Sequence, residues 1–509
     1  MKNKFLLLSG ILLLFLSFGC KQSDLVLQWD KVRDYHLLYM GIGLQNQDLR
    51  NVDFYLDFTE GLKVAFQNDN SKKFFDAVIN SMKINTIDFY EVANDSISLI
   101  ENMPKGDMFA KLENPSNYDK EYAPLDKALD KIAESNNFSI FVTDGELWKK
   151  KVGEKASESP WAREAFAKWL KKGNRIDFYI TDHPDAGKTK HLFYMIFIPK
   201  SFNGEKLPSD DISYFLQNDI AAKRLVYSSF TFSNDFFTLK QDYPTEQSSG
   251  SAEEMALDMG SYKKDLDLGY EYMDFALGWK DIVKYIRNAK DENSGNPIPG
   301  GKDFIRKLFL NAKNNELYQL NEIGIKTYDI YEDYSKFEFC KQCQAKPPLF
   351  KLDEKGNKVL DLNNNNMPFI LEEGLKGCYD EKGDLLSERK YSGPDIKPIE
   401  ELFQLDNKLF NYTYSRDTVG EIGLKIHPNF NGTQLSSTHE NFVKVDILLT
   451  KCKPNTSNPK FEKFIWQGKQ ITQNKALYES IILAIQDANP EGKVIYSYYI
   501  KTLPNNYFE

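Results

Sequence analysis

Two apolar runs that each close on an aspartate constrain the fold of this chain more than any other feature. The first is Val52-Asp53-Phe54-Tyr55-Leu56-Asp57-Phe58-Thr59-Glu60-Gly61, and the second is Phe138-Ser139-Ile140-Phe141-Val142-Thr143-Asp144-Gly145. Such a run suits a strand buried on both faces, and open α/β sheets gather ligands outside the carboxyl ends of these strands. Helical periodicity alternates with the strands. Phe74, Phe75, Val78 and Met82 recur at three- and four-residue spacing, as do Leu125, Ala128, Leu129 and Ile132. Trp161, Ala165, Phe166, Trp169 and Leu170 form a third apolar face, with Gly173 placed to close its helix in a left-handed conformation. Strands predicted at 84–92, 175–181 and 191–198, with Pro199 as a stop, complete a doubly wound α/β domain over residues 51–203.

Asp57, Thr59 and Asp144 would meet at one sheet edge in such a domain, and hard oxygen donors of this kind suit Mg²⁺ or Mn²⁺. The order and spacing of these motifs resemble the von Willebrand factor A (vWA) domain and its metal-ion-dependent adhesion site. Two further segments carry the resemblance: Phe89-Tyr90-Glu91-Val92-Ala93-Asn94-Asp95, and Ala123-Pro124-Leu125-Asp126-Lys127-Ala128-Leu129. The family holds its metal with an Asp-x-Ser-x-Ser loop, a Thr from a second loop and an Asp from a third. Here Asp57 matches the first Asp, Thr59 stands for the first Ser, and Asp144 matches the last Asp. Gly61 and Ala123 occupy the second Ser and the Thr positions and offer no side-chain oxygen. Waters, or a carboxylate such as Glu60 or Glu146, would have to fill the shell at some loss of affinity. The resemblance implies non-catalytic binding of a protein or surface ligand at that edge.

The first twenty residues read as a signal segment: Lys2 and Lys4, an apolar run from Phe5 to Phe18, then Ser17-Phe18-Gly19-Cys20. The ending resembles a bacterial lipobox, which implies lipidation at Cys20 and a lipid-anchored protein of the cell envelope, at the outer membrane or cell surface. Residues 21–50 are expected to form a tether and lead-in, part of which packs through Trp29, Tyr35 and Leu37 to Met40. A formal net charge of −9 gives no electrostatic case for nucleic acid.

Beyond the first domain the rhythm changes. Residues 204–315 read as a mixed α/β connecting region, with a hairpin around Ser233-Asn234-Asp235 and a helix over 302–313. Residues 316–509 read as β-rich and sandwich-like, with strands at 324–334, 418–426, 441–449 and 493–502 and one helix at 475–488. Stretches 247–251, 291–301 and 363–366 have loop composition. Cys340, Cys343, Cys378 and Cys452 all fall in this half. An even count in an exported chain points to disulfides of open connectivity, while Cys340-Lys341-Gln342-Cys343 could instead seed zinc.

Other motifs fail on residue type. Ala186-Gly187-Lys188-Thr189 lacks the first glycine of a phosphate loop, because position 182 is Asp. The five histidines form no HExxH pair, and His183 is expected to be solvated near the ligand edge. No GxSxG elbow is present. An exported hydrolase of glycans or peptides working through the C-terminal half, and a structural subunit of an envelope machine, remain the competing readings.

Overall fold

The computed structural model describes residues 29–40, 52–200, 208–240, 260–345 and 385–505, with short breaks inside these spans, together with 351–352, 358–359 and Cys378. The signal segment with Cys20, the loop stretches 247–251 and 363–366, and most of the lead-in lie outside the described residues.

The chain is mixed α/β. Its first sheet has seven strands in the order β3-β2-β1-β4-β8-β7-β9. These are β1 (Val52–Asp57), β2 (Thr86–Ala93), β3 (Ser96–Pro104), β4 (Phe138–Thr143), β7 (Arg175–Asp185), β8 (Lys188–Ile198) and β9 (Ser228–Ser233). Two-residue strands β5 (Trp148–Lys149) and β6 (Lys155–Ala156) pair beside it. The sheet is not doubly wound throughout. Only β2, β1 and β4 run parallel; β3, β8, β7 and β9 each join antiparallel. The reason is local. Ala186 and Gly187 both take left-handed conformations (φ 49° and 79°), the pattern of a tight hairpin turn. The chain therefore folds straight back after β7, and β8 slots between β4 and β7 where a crossover would have placed a parallel strand.

Both faces of this sheet are covered, which is why β1 and β4 are mostly apolar and are buried at every position. One face packs Phe54, Leu56 and Tyr194 against α2 (Glu60–Phe66), α3 (Asp69–Ser81), α4 (Lys105–Glu113) and α7 (Pro208–Lys223). The other packs Tyr55 and Phe141 against α5 (Leu125–Ser135) and α6 (Arg163–Lys171). The expected helix ending is present: Gly173 lies at φ 79° and donates its N–H to Leu170 O at 2.8 Å.

Two more sheets follow. Six strands run in the order β11-β12-β21-β20-β14-β17: β11 (Gly260–Asp265), β12 (Tyr270–Gly278), β14 (Tyr318–Asp329), β17 (Lys397–Pro398), β20 (Asn441–Pro454) and β21 (Val494–Leu503). Four run in the order β10-β13-β19-β18: β10 (Phe237–Lys240), β13 (Leu308–Ala312), β18 (Phe403–Tyr414) and β19 (Asp417–Ile426). Between them in the chain, β15 (Lys351–Leu352) and β16 (Lys358–Val359) pair with each other. Both larger sheets contribute to one core with α8 (Trp279–Arg287), whose buried Trp279 stacks on Phe304 with centroids 5.7 Å apart. The expected boundary at 315 falls inside both sheets, since β12 pairs with β21 and β13 with β19. The first sheet shares that same core through α10 (Ala476–Asp487), which packs on α6 and is fastened by Arg163 to Asp487 at 2.6 and 2.9 Å.

Tertiary pairing overrides several local expectations. The described residues of 302–313 contain no helix; Leu308-Phe309-Leu310 instead opens β13, which is paired on its two sides by β10 and β19. No hairpin forms around 233–235, because β9 joins the first sheet and β10 the four-stranded one. The strand expected over 324–334 ends at Asp329, whose carboxylate accepts the Tyr331 N–H at 3.1 Å and turns the chain into α9 (Tyr331–Ala345).

The packed part of the lead-in is a helix, α1 (Trp29–Tyr39), and it lies against the six-stranded sheet and α9. Val32 and Tyr35 pack there with Tyr334, Phe337 and Tyr499, while Lys31 pairs with Glu338 at 3.3 Å and Lys341 with Asp34. Cys343, near the end of α9, forms a disulfide with Cys378. Cys340 and Cys452 are buried free thiols, and Cys452 sits apart on β20. The zinc alternative loses Cys343 to the disulfide, and the four cysteines are not gathered.

Candidate functional site

β1 and β4 are adjacent and parallel, so the residues that end them, Asp57 and Asp144, emerge side by side. The backbone turns that follow hold both carboxylates. Asp57 Oδ1 accepts the Thr59 N–H at 3.1 Å, and Asp57 Oδ2 accepts the Thr143 hydroxyl at 2.9 Å. Thr143 Oγ1 in turn accepts the Gly145 N–H at 3.0 Å. Asp144 Oδ1 accepts the Glu146 N–H at 2.9 Å. Asp144 Oδ2 lies toward Gly61 on the neighbouring loop. Thr59 Oγ1 is buried beside Asp57, whose carboxyl it helps to hold down, but it meets no full hydrogen-bond geometry among the described residues.

The site is sealed. Asp57 is 1% exposed, and Asp144 and Glu146 are 8% exposed each. Burial, then repulsion from Asp144, pushes the Asp57 carboxyl up to about 8. Burial and the same Asp144 charge push Glu146 up to about 8, and burial raises Asp144 as well. Carboxylates in such a place take up either a proton or a cation. One cation is internal: Lys190, on β8, pairs with Glu146 at 2.8 Å and Asp185 at 3.1 Å.

Sequence reasoning named Asp57, Thr59 and Asp144, and the structure brings all three together. Two carboxylates and a hydroxyl are hard donors of the kind a divalent ion takes, but among the described residues no three His, Cys, Asp or Glu side chains gather here to hold one. Ala123 is buried and adds no oxygen, and Glu146 is engaged by Lys190. Glu60 lies exposed on the first turn of α2. Gly61 has a positive role. A Cβ there would fall 1.8 Å from Asp144 Oδ2 and 2.9 Å from its Cγ, so the glycine makes room for that carboxylate. Gly61→Ser therefore does not restore the family's second hydroxyl. It is expected to displace Asp144 and lower stability by about 1–3 kcal/mol. Urea denaturation checks this, with Gly61→Ser combined with Asp144→Gly recovering part of the loss.

Three neighbours carry no local motif. Lys190 and His183 face each other across the β7–β8 hairpin, and Trp466 arrives from the far end of the chain. His183 is not solvated as expected. It is 2% exposed, burial holds its imidazole down to about 4, and its Nδ1 has no partner among the described residues.

Residues 459–467 and 473–477 roof the edge. Trp466 lies with its ring centroid 5.8 Å from Lys190 Nζ and 5.7 Å from that of Trp148, and Phe464 stacks on Phe193 at 5.3 Å. Leu477 packs so close to Gly145 that a Cβ there would sit 2.9 Å from its Cδ2. Lys463 and His191 both bind Asp182, at 2.7 and 2.8 Å. Comparison of the chain with family models, curated proteins and solved structures finds no match, so any functional reading rests on the residues of this edge.

Proposed function

We propose that this chain is a lipid-anchored protein of the bacterial envelope that binds another protein or a surface ligand without catalysis. In this reading the first sheet is a vWA-like module with a reduced cation site, and the two C-terminal sheets are its rigid platform. The observation that carries it is the buried meeting of Asp57, Asp144 and the Thr59 hydroxyl at the ends of neighbouring parallel strands. Asp57, Thr59 and Asp144 would hold Mg²⁺ or Mn²⁺, with water in the places of Gly61 and Ala123. A bound ion would supply charge that neutralises the two carboxylates and orients their loops. Residues 459–467 and 473–477 cover the edge, so engaging a partner there would shift them. The anchor rests on the Lys2 to Cys20 sequence alone.

Thermal unfolding with Mg²⁺, Mn²⁺ or Ca²⁺ tests the cation site. Binding to the folded state alone adds RT ln(1 + [L]/Kd), about 2.7 kcal/mol at a hundredfold excess over Kd. The midpoint of the parent is expected to rise with ion concentration, and that of an Asp57→Ala, Asp144→Ala double variant to stay put. Equal responses, or none in the parent, would remove the cation from the proposal.

A further inference from the structure

A cavity of about 230 Å³ opens between α2, α3, α4 and the 3-10 turn Pro115–Tyr118, away from the covered edge. Its walls are aromatic: Phe66, Phe75, Phe109 and Tyr118. They already interlock, with Phe66 4.9 Å from Phe75 and 5.8 Å from Tyr118 between ring centroids. Tyr118 is fixed by its hydroxyl, which donates to Leu112 O at 3.0 Å. Three of the four walls are therefore held by one another, with Phe109 half-buried beside them.

The mouth is polar and balanced. Lys63 and Lys72 stand with Asp76 and Glu113. Lys72 and Asp76 are one turn apart on α3, at the spacing that favours an ion pair, and the neighbouring Asp69 and Lys73 do pair at 2.6 Å. Among the described residues the Lys72 and Asp76 side chains form no ion pair within 4 Å, although Lys72 and Lys223 attract Asp76 at longer range, and no side-chain hydrogen bond or ion pair engages Lys63 or Glu113. Two ammonium groups and two carboxylates thus stand around an apolar well without a direct side-chain hydrogen bond among them.

We propose that this cavity binds a free aromatic α-amino acid. The ring would enter the well, the ammonium would meet Asp76 and Glu113, and the carboxylate would meet Lys63 and Lys72. Size supports a small ligand, since drug-sized sites run to roughly 300–1,000 Å³. Charge sets the class, because the mouth offers one pair of groups to each end of a zwitterion. Offset or edge-to-face contact with Phe66, Phe75, Phe109 and Tyr118 favours an aromatic ring over an aliphatic chain. The site is separate from the cation site and does not depend on it.

Titration calorimetry of the full chain with L-phenylalanine tests the idea, beside three probes that each lack one feature. L-Alanine lacks the ring, phenethylamine lacks the carboxylate, and N-acetyl-L-phenylalanine lacks the ammonium. Saturable one-to-one binding of L-phenylalanine is expected, with each probe weaker by about tenfold or more. Asp76→Asn should weaken L-phenylalanine similarly and leave N-acetyl-L-phenylalanine unchanged. Phe109→Ala, at a half-buried position on α4, should abolish binding while the thermal midpoint shows the chain still folded. Absence of any heat up to about 10 mM L-phenylalanine would overturn the proposal. So would equal affinity for N-acetyl-L-phenylalanine, which would show an apolar hole without zwitterion recognition.

Discussion

Replacing Asp446 by asparagine is expected to cost about 3–5 kcal/mol of folding stability, the usual consequence of stripping the partner from a buried charge. Lys444 and Asp446 lie two apart on β20, on the side of the six-stranded sheet that α1 covers, with side chains 0% and 1% exposed. The Lys444 ammonium pairs with Asp446 and stands 3.3 Å from the centre of the Tyr39 ring. Asp446 also accepts from Ser497 Oγ at 2.7 Å and from the Tyr39 hydroxyl at 3.1 Å. Burial already pulls the Lys444 amine down to about 8, with Asp446 opposing that fall. An asparagine keeps the shape and removes the charge, leaving the ammonium to be neutralised or stranded. Replacing the pair together, Lys444→Met with Asp446→Leu, is expected to recover most of the loss, because an apolar pair needs no partner. Urea denaturation of the three proteins at neutral pH decides it. A single variant within about 1 kcal/mol of the parent would show that water reaches the pair.

The second large effect concerns acid. Asp57 and Glu146 have folded-state pKa values pushed up to about 8, against roughly 4 in an unfolded chain. Between these limits the folded state holds more protons than the unfolded one. Stability then falls as pH rises, with a slope approaching about 1.4 kcal/mol per pH unit for each proton retained. The contribution is fully present below about pH 4 and lost by about pH 8. A divalent ion competes with those protons, so Mg²⁺ is expected to stabilise the chain more at pH 8 than at pH 5.5. The Asp57→Asn, Asp144→Asn variant should show a shallower slope and no ion effect. Chemical denaturation across pH 5–8 reads both, and a slope unchanged by the double substitution would mean that other groups set the acid response. His36 contributes with the opposite sign. Burial and Lys444 hold it down to about 3, so its share of stability is lost as pH falls below about 6.5.

How far the sequence could be read varied with the range of the forces involved. Asp57 and Asp144 were visible because a strand buried on both faces leaves a largely apolar run, and the acidic residue that closes it stands out. Helices α3, α5, α6 and α10 were visible because one buried face repeats every three to four residues. The same logic misread 302–313, where Leu308-Phe309-Leu310 is apolar enough for either structure and only β10 and β19 decide between them. It also missed the antiparallel entry of β8, which depends on two left-handed residues, one of them Ala186, a type that seldom adopts that conformation.

By itself, then, the sequence determined an α/β start, two carboxylates at neighbouring strand ends, and the lack of a side-chain oxygen at Gly61 and Ala123, since these depend on residue type and local period. Only the tertiary structure decided that strands from both sides of residue 315 share two sheets, that Cys343 pairs with Cys378, and that α1 seals Lys444 and Asp446. It alone placed Lys190, His183 and Trp466 around the carboxylates and put residues 459–467 and 473–477 over them. Those contacts join positions far apart in the chain, and their energy comes from shared burial, which no local pattern records.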